Sequence, residues 1–330
     1  METLEGGELC FPQLLNTSCR KQMRPHSEAM LLYILLSSIS LLTVALNLLV
    51  IISVSHYRQL HTPTNLLLLS LAVSDFLAGL LMPVEILFIE ACWFLGDFMC
   101  ALSFFVVFTI ISASVGNMVL ISGDRYVAIC DPLCYPTKIT QRRVQICVCL
   151  CWVCSALFGS LILNDHLREP GRYNSCVGEC VVVVNYITGA VDLVFTPNIT
   201  FIVPITVIIV LYMRVFVVAV SQARAMRSHI VAVTLQRSVT VTAKKSEMKA
   251  ARTLGIVIAV FLMCFCPHYC LSLAGQENVA SPSFLVFLLY FNSCLNPVIY
   301  AFFYPWFRKS IKLIVTLQIL QPDSCDANIL

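Results

Sequence analysis

Charge is what this sequence has least of. Over 330 residues only 12% are Asp, Glu, Lys or Arg while 59% are hydrophobic, whereas a soluble domain carries about 25% charged residues. That deficit, with a mean hydropathy of +0.87, excludes a water-soluble globular fold. Internal repeats and low-complexity tracts are missing too, which argues against a transporter built from paired halves. No His-Glu-x-x-His, Gly-x-Ser-x-Gly or phosphate loop occurs, so the constellations expected of a membrane enzyme are absent. The first 28 residues are polar and lack an apolar core, so no cleavable signal peptide is expected and the first helix should act as its own insertion signal.

What is present is a series of seven apolar runs, at about 30 to 54, 65 to 90, 100 to 123, 145 to 164, 181 to 219, 252 to 274 and 282 to 304. Each is long enough to cross a bilayer, which takes roughly 20 residues. Each must be helical, because lipid offers backbone amides no partner. The expected fold class is an all-α membrane protein: a seven-transmembrane-helix bundle with a short amphipathic C-terminal helix. Residues 1–28 form a tail, 29–305 the membrane domain, and 306–330 an amphipathic helix and tail. In that last segment, FYPWFRKSIKLIVTLQIL reads as a helix lying on the inner leaflet, held by Phe303, Trp306 and Phe307 with Arg308, Lys309 and Lys312.

Basic residues set the orientation. Arg58, Arg125, Lys138, Arg142, Arg143, the cluster from Arg224 to Arg252, and Arg308, Lys309 and Lys312 fall on one side, which is therefore expected to be cytoplasmic. Glu90, Asp97, Glu169, Glu179 and Glu277 fall on the other, with a glycosylation acceptor at Asn16-Thr17-Ser18. The protein is expected at the plasma membrane, with its N-terminus outside and its partners including membrane lipid but not nucleic acid. The basic link over about 220 to 248 is either a docking surface or a solvated loop that only fixes topology.

Of the seventeen cysteines, Cys10, Cys19, Cys92, Cys100, Cys176 and Cys180 lie on the outer side, where disulfides persist. Cys147, Cys149, Cys151 and Cys154 resemble a metal cluster only in spacing. At 100° per residue Cys149 points away from the other three, and small soft residues in a membrane helix are the simpler reading.

Polar groups inside apolar helices mark function. Asn47, Asp75, Ser114, Asn292, Ser293 and Asn296 lie at mid-membrane depth, and Pro204, Pro267 and Pro297 interrupt three helices. A carboxylate among neutral oxygens suits either a small cation such as sodium, at Asp75 and Ser114, or a hydrated network along which the bundle repacks. Beyond that sodium, no cofactor is expected. At the cytoplasmic end of the third helix, adjacent Asp124 and Arg125 can act as a latch whose Arg turns to another partner when the bundle opens.

These features occur together in order and depth: Asn47, Asp75 in LAVSD, Cys100, Asp124-Arg125-Tyr126, Trp152, Pro204, Tyr212, Cys264 and Pro267 in FLMCFCP, and Asn296-Pro297-Val298-Ile299-Tyr300. The chain resembles the rhodopsin-like G-protein-coupled receptors over essentially its whole length. The wording HYRQLHTPTNLLLLSLAVSDFLAG, DPLCYPTKIT and NSCLNPVIYAFFYPWFRKS is similar to trace amine-associated receptors of the type expanded in fish. Phe265 stands where a tryptophan is usual, and Leu46 where a glycine precedes Asn47.

The resemblance implies an olfactory receptor for small protonated amines that signals through a stimulatory G protein to cyclic AMP. Coupling and activation would fall to Asp124, Arg125, Tyr126, Leu133, Tyr212, Asn296, Pro297 and Tyr300. It also implies that Cys100 bonds Cys180 and that Cys176 bonds Cys10 or Cys19, tying the tail over the pocket. An alkylamine has a pKa near 10, like lysine, and is a cation at pH 7, so the pocket needs an acid. The usual place for it, eighteen residues before Arg125, is Val107.

In the fish-type subgroup an Asp on the fifth helix takes over, which carries the role to Asp192 in GAVDLVFT. That Asp normally stands eight residues before the proline, where this chain has Thr196; Asp192 is twelve before Pro204. Four extra residues, PNIT at 197–200, would raise Asp192 by about 6 Å along a regular helix and turn it by about 40°. The competing topology starts the helix near Phe201 and leaves Asp192 in a loop. Glu85 is a second acid at pocket depth; it either binds the far end of a diamine or snorkels outward to a loop Arg. Phe265, His268, Tyr269 and Tyr290 are expected to line the pocket and offer aromatic faces to a cation.

Overall fold

The structure, a computed structural model of the chain, describes residues 8–14, 16–20, 25–89, 92–171, 174–180, 202–230, 238–273 and 282–329. Its helices are α1 (His26–His56), α2 (Pro63–Ile89), α3 (Asp97–Cys130) and α4 (Gln141–Ile162). They continue with α5 (Val203–Ile230), α6 (Ser238–Leu273), α7 (Pro282–Phe303) and α8 (Pro305–Val315). Five spans among the described residues are long and apolar enough to cross a membrane: α1, α2 to Val84, α3, α4 to Leu161 and α5 to Ser221. From Phe287, α7 runs apolar to its end and turns by 102° into α8, and the apolar part of α6 is Gly255–Leu271. Together they make a seven-helix bundle. The lower part of α6 carries Lys244, Lys245, Lys249 and Arg252, so this helix continues past its apolar stretch as a charged extension.

Helix α1 packs on α2 and α7, α2 on α3, α4 and α7, α3 on α4, α5 and α6, and α6 on α7, which closes the ring. Its core is mostly aliphatic, with Val50, Leu68, Leu71, Met118, Ile121, Val257 and Phe261 buried at the helix contacts. Membrane helices have no water to satisfy a freed carbonyl, so each internal proline needs a donor for the carbonyl four residues before it. Pro83 frees Gly79, whose oxygen accepts from Ser40 Oγ at 2.8 Å. Pro297 frees Ser293, whose oxygen accepts from Asn47 Nδ2 at 3.0 Å. Both donors stand on α1, so the two breaks in α2 and α7 are repaired from a single neighbour. Pro204 lies in the first turn of α5 as described, where its missing donor costs little.

The α7–α8 elbow corrects one expectation. Trp306 and Phe307 do not hold α8 in the leaflet: they are 7% and 0% exposed and fill the space beneath α1, against the cluster containing Tyr57 and Leu60. The sharp turn after Phe303 aims these rings at protein. Residues beyond Val315 do not extend that helix but form two short 3₁₀ turns, Gln318–Leu320 and Ser324–Asp326.

Candidate functional site

At one end of the bundle are three disulfides, two of which bind the segment before α1 to the loops. Cys100, at the top of α3, is joined to Cys180, Cys19 to Cys176, and Cys10 to Cys92. Of the two partners left open for Cys176, the structure takes Cys19. Cys10 goes instead to the loop between α2 and α3, because residues 9–14 and 16–20 form the arms of a hairpin that lie over different loops. Cys10 N donates to Cys19 O at 2.9 Å within the hairpin, and Cys19 N to Val177 O at 2.9 Å across it. Val177 N returns a bond to Thr17 O at 2.7 Å. A cavity of about 630 Å³ lies beneath, lined among others by Phe11, Trp93, Asp97 and Glu179. Asn16, the expected sugar acceptor, is exposed on the hairpin.

Deeper in the bundle, a column of rings runs down α6 at one-turn intervals. Phe261 and Phe265 have centroids 4.3 Å apart, Phe265 and Tyr269 6.5 Å, and His268 meets Tyr269 edge-on at 5.2 Å. This spacing follows from i, i+4, i+8 positions sharing one helix face. Phe265 is 3% exposed, so it belongs to the core as much as to any pocket wall. Val107 on α3 and Tyr290 on α7 are half-buried. Val107 brings no charge, so α3 offers a cation nothing at this position. Asp192 and Thr196 lie outside the described residues, as does the side chain of Glu85.

Below the rings is a polar core. Asp75 on α2 is 1% exposed, and its Oδ2 accepts from Asn296 Nδ2 of α7 at 2.8 Å. Asn47, Ser114, Asn117, Asn292, Ser293 and Asn296 are buried polar residues of α1, α3 and α7. Asp75 Oδ1, Ser114 Oγ, Asn292 Oδ1 and Asn296 Oδ1 are buried oxygens with no hydrogen-bond partner in the protein. A carboxylate oxygen with neutral oxygen donors and no sulfur or imidazole is the donor set of a hard cation, so these residues fit sodium. No group of three or more His, Cys, Asp and Glu able to hold a metal occurs among the described residues. Cys147, Cys149 and Cys154 are exposed on α4.

At the opposite end from the disulfides, Asp124 is 2% exposed and accepts three neighbours. Arg125 Nε donates to its Oδ2 at 2.9 Å and Thr64 Oγ1 to the same oxygen at 3.0 Å, while Tyr135 donates to Oδ1 at 2.9 Å. The Arg125 guanidinium also reaches Thr64 Oγ1. The charge pair is therefore closed on itself and clamped from α2 and from the one-turn helix Tyr135–Lys138. Thr64 and Tyr135 were not singled out from sequence; Tyr135 stands in the DPLCYPTKIT segment, but a hydroxyl there carries no signal until the loop folds back. Lys138 Nζ donates to Asp131 at 2.7 Å and braces that turn. The same contact holds the Asp131 carboxyl below its ordinary range.

Leu133 is 93% exposed beside this turn. Tyr126 packs at the edge of the small Ile129–Val215 cluster, and Tyr212 of α5 packs on α6. Tyr300 is 1% exposed, its ring 6.0 Å from that of Tyr304.

The sequence pattern of the "7 transmembrane receptor (rhodopsin family)" matches residues 46–300, from the polar core of α1 to the end of α7. Trace amine-associated receptor 13c of Danio rerio is 36% identical to the chain, covering 98% of it and 97% of the relative. Trace amine-associated receptor 7e of Mus musculus is also 36% identical, over 98% and 92%. For trace amine-associated receptor 8a of Rattus norvegicus the identity is again 36%, over 96% and 95%. Receptors of this kind are multi-pass plasma-membrane proteins that pass a small-molecule signal to a G protein and are not enzymes. Likeness of this extent, end to end, means that the chain belongs to the trace amine-associated receptors of the rhodopsin family.

Proposed function

We propose that the ligand is a small organic amine, bound as its ammonium ion, and that the receptor acts through a stimulatory G protein to raise cyclic AMP in olfactory neurons. The observation that carries the ligand reading is the Phe261, Phe265 and Tyr269 column with His268 beside it. A face of stacked rings attracts a cation and excludes the water that would otherwise solvate it. With Val107 uncharged on α3, the counterion in this reading is Asp192, assisted by position Thr196, and Tyr290 closes the pocket from α7. Glu85 would take the second nitrogen of a diamine.

The N-terminal hairpin faces outside in this reading, with a glycan on Asn16. The Asp124–Arg125 end faces the cytoplasm, where Arg125 would leave Asp124 on activation. A sodium ion held by Asp75 and Ser114, with Asn292 and Asn296, would supply a positive charge that stabilises the buried carboxylate in the resting bundle.

A second reading is a receptor for a ligand that is not an amine, favoured by the uncharged Val107 on α3. Cyclic AMP responses to a panel of alkylamines separate the two. Asp192→Asn should abolish amine responses at unchanged surface expression. Val107→Asp should create or broaden them by about 10- to 100-fold in potency, the range of a charge-assisted hydrogen bond. Amine dose-response curves that Asp192→Asn leaves in place would remove the proposed anchor.

A further inference from the structure

The segment after α8 doubles back. Leu317 and Asp323 adopt left-handed backbone angles, φ 57° and 62°, and these two reversals return the chain beneath α1 instead of releasing it from the bundle. It is then held to the turn between α1 and α2 at three successive points. Ser324 Oγ lies 3.0 Å from His56 Nε2, Arg58 Nη1 is 3.2 Å from Asp326 Oδ2, and Ile329 N donates to Gln59 Oε1 at 3.1 Å. Ile329 is 1% exposed and shares its apolar cluster with Tyr57, Leu60 and Phe307.

The turn so gripped leads directly into the latch. Asn65 Nδ2 donates to Leu60 O at 2.9 Å, and Leu66 N to Thr62 O at 3.0 Å, so residues 60–66 are tied together by hydrogen bonds. Thr64, inside that segment, is the hydroxyl that touches both Asp124 and Arg125. A strap on Arg58 and Gln59 therefore bears on the group that keeps Arg125 turned toward Asp124.

We propose that residues 316–329 are an autoinhibitory strap: docked on the Arg58–Leu60 turn they hold Thr64 on the Asp124–Arg125 pair, and release of the strap frees Arg125 for the G protein. The strap is built to let go. Its ion pair is exposed, with side chains 70% and 56% accessible, and such pairs are weak and screened by salt. The apolar seal rests on only two side chains, Ile329 and the small Ala327.

The experiment uses full-length receptor in membranes and reads ligand-free nucleotide exchange on added G protein at matched surface expression. Asp326→Arg should raise basal exchange about two- to fivefold, the factor an exposed ion pair is worth. Adding Arg58→Glu in the same chain, which restores the pair with reversed sign, should return it to the wild-type level. Independently, His56→Cys with Ser324→Cys, on a Cys325→Ser background, should form a disulfide that lowers basal exchange until a reductant is added. Basal exchange unchanged in Asp326→Arg, no return in the swapped pair, or a cross-link that fails to form or forms without effect would each overturn the strap.

Discussion

The phenol of Tyr212 on α5 occupies the space that a β-carbon at position 255 of α6 would need, so only the glycine found there lets the two helices keep this contact. The structure thus seats Tyr212 on α6. Gly255→Ala should unseat it. Overpacking of this kind costs roughly 1–3 kcal/mol, enough to move a two-state bundle toward its other state by about fivefold or more. Ligand-independent cyclic AMP should rise accordingly, and Gly255→Ala with Tyr212→Ala should bring it back. An unaltered basal level in Gly255→Ala would show that the contact does not report on activation.

Tyr135 and Thr64 hold Asp124 from two sides. Tyr135→Phe removes one buried hydrogen bond, worth about 1 kcal/mol, and should raise basal signalling about fivefold without changing ligand affinity. Arg125→Ala should silence signalling while binding persists. Radioligand binding together with nucleotide exchange on the same membranes checks both, and a Tyr135→Phe receptor as quiet as wild type would count against the clamp.

Removing the Cys10–Cys92 bond tests the hairpin. Cys10→Ser with Cys92→Ser frees one arm while Cys19–Cys176 keeps the other. Loss of a disulfide of this kind costs about 2–4 kcal/mol, and thermal unfolding of the detergent-solubilised receptor should shift down. Cys10→Ser alone should shift it equally, because the bond is lost either way. An unshifted midpoint would mean that Cys19–Cys176 and the backbone bonds hold the hairpin without Cys10–Cys92.

Asp75 is the one carboxylate of the polar core among the described residues. If sodium sits there, replacing the medium's sodium by a large organic cation should change agonist potency several-fold in the wild type and leave Asp75→Asn unaffected. Ser114→Ala should weaken the sodium effect without abolishing it, since the carboxylate supplies most of the attraction. Equal sodium dependence in Asp75→Asn would leave the core as a hydrated repacking network.

Much of this architecture is legible in residue order because a bilayer allows so few solutions. Apolar runs mark where α1 to α7 must lie, and Asn47, Asp75 and Asn296 stand out because polar groups in such runs are costly. Helix ends are less legible: α1 begins at His26 and α3 continues to Cys130, past their apolar runs, since a hydrogen-bonded helix does not stop at the lipid boundary. The identity of the donors that repair Pro83 and Pro297 was hidden for a different reason. Ser40 and Asn47 are ordinary membrane-helix residues until α1 is packed beside both breaks.

Composition and spacing by themselves determined the solvent, the number of spans, the buried carboxylate and the charge pair at the foot of α3, since each follows from the cost of placing polar or apolar groups in the wrong medium. Only the folded chain decided that Cys10 meets Cys92, that Trp306 and Phe307 face protein, that Tyr212 rests on Gly255 and that Asp326 returns to Arg58. These are pairings between residues far apart in the chain. Hydrophobicity places a residue at a depth but does not choose its neighbour; shape, turn geometry and hydrogen-bond direction do.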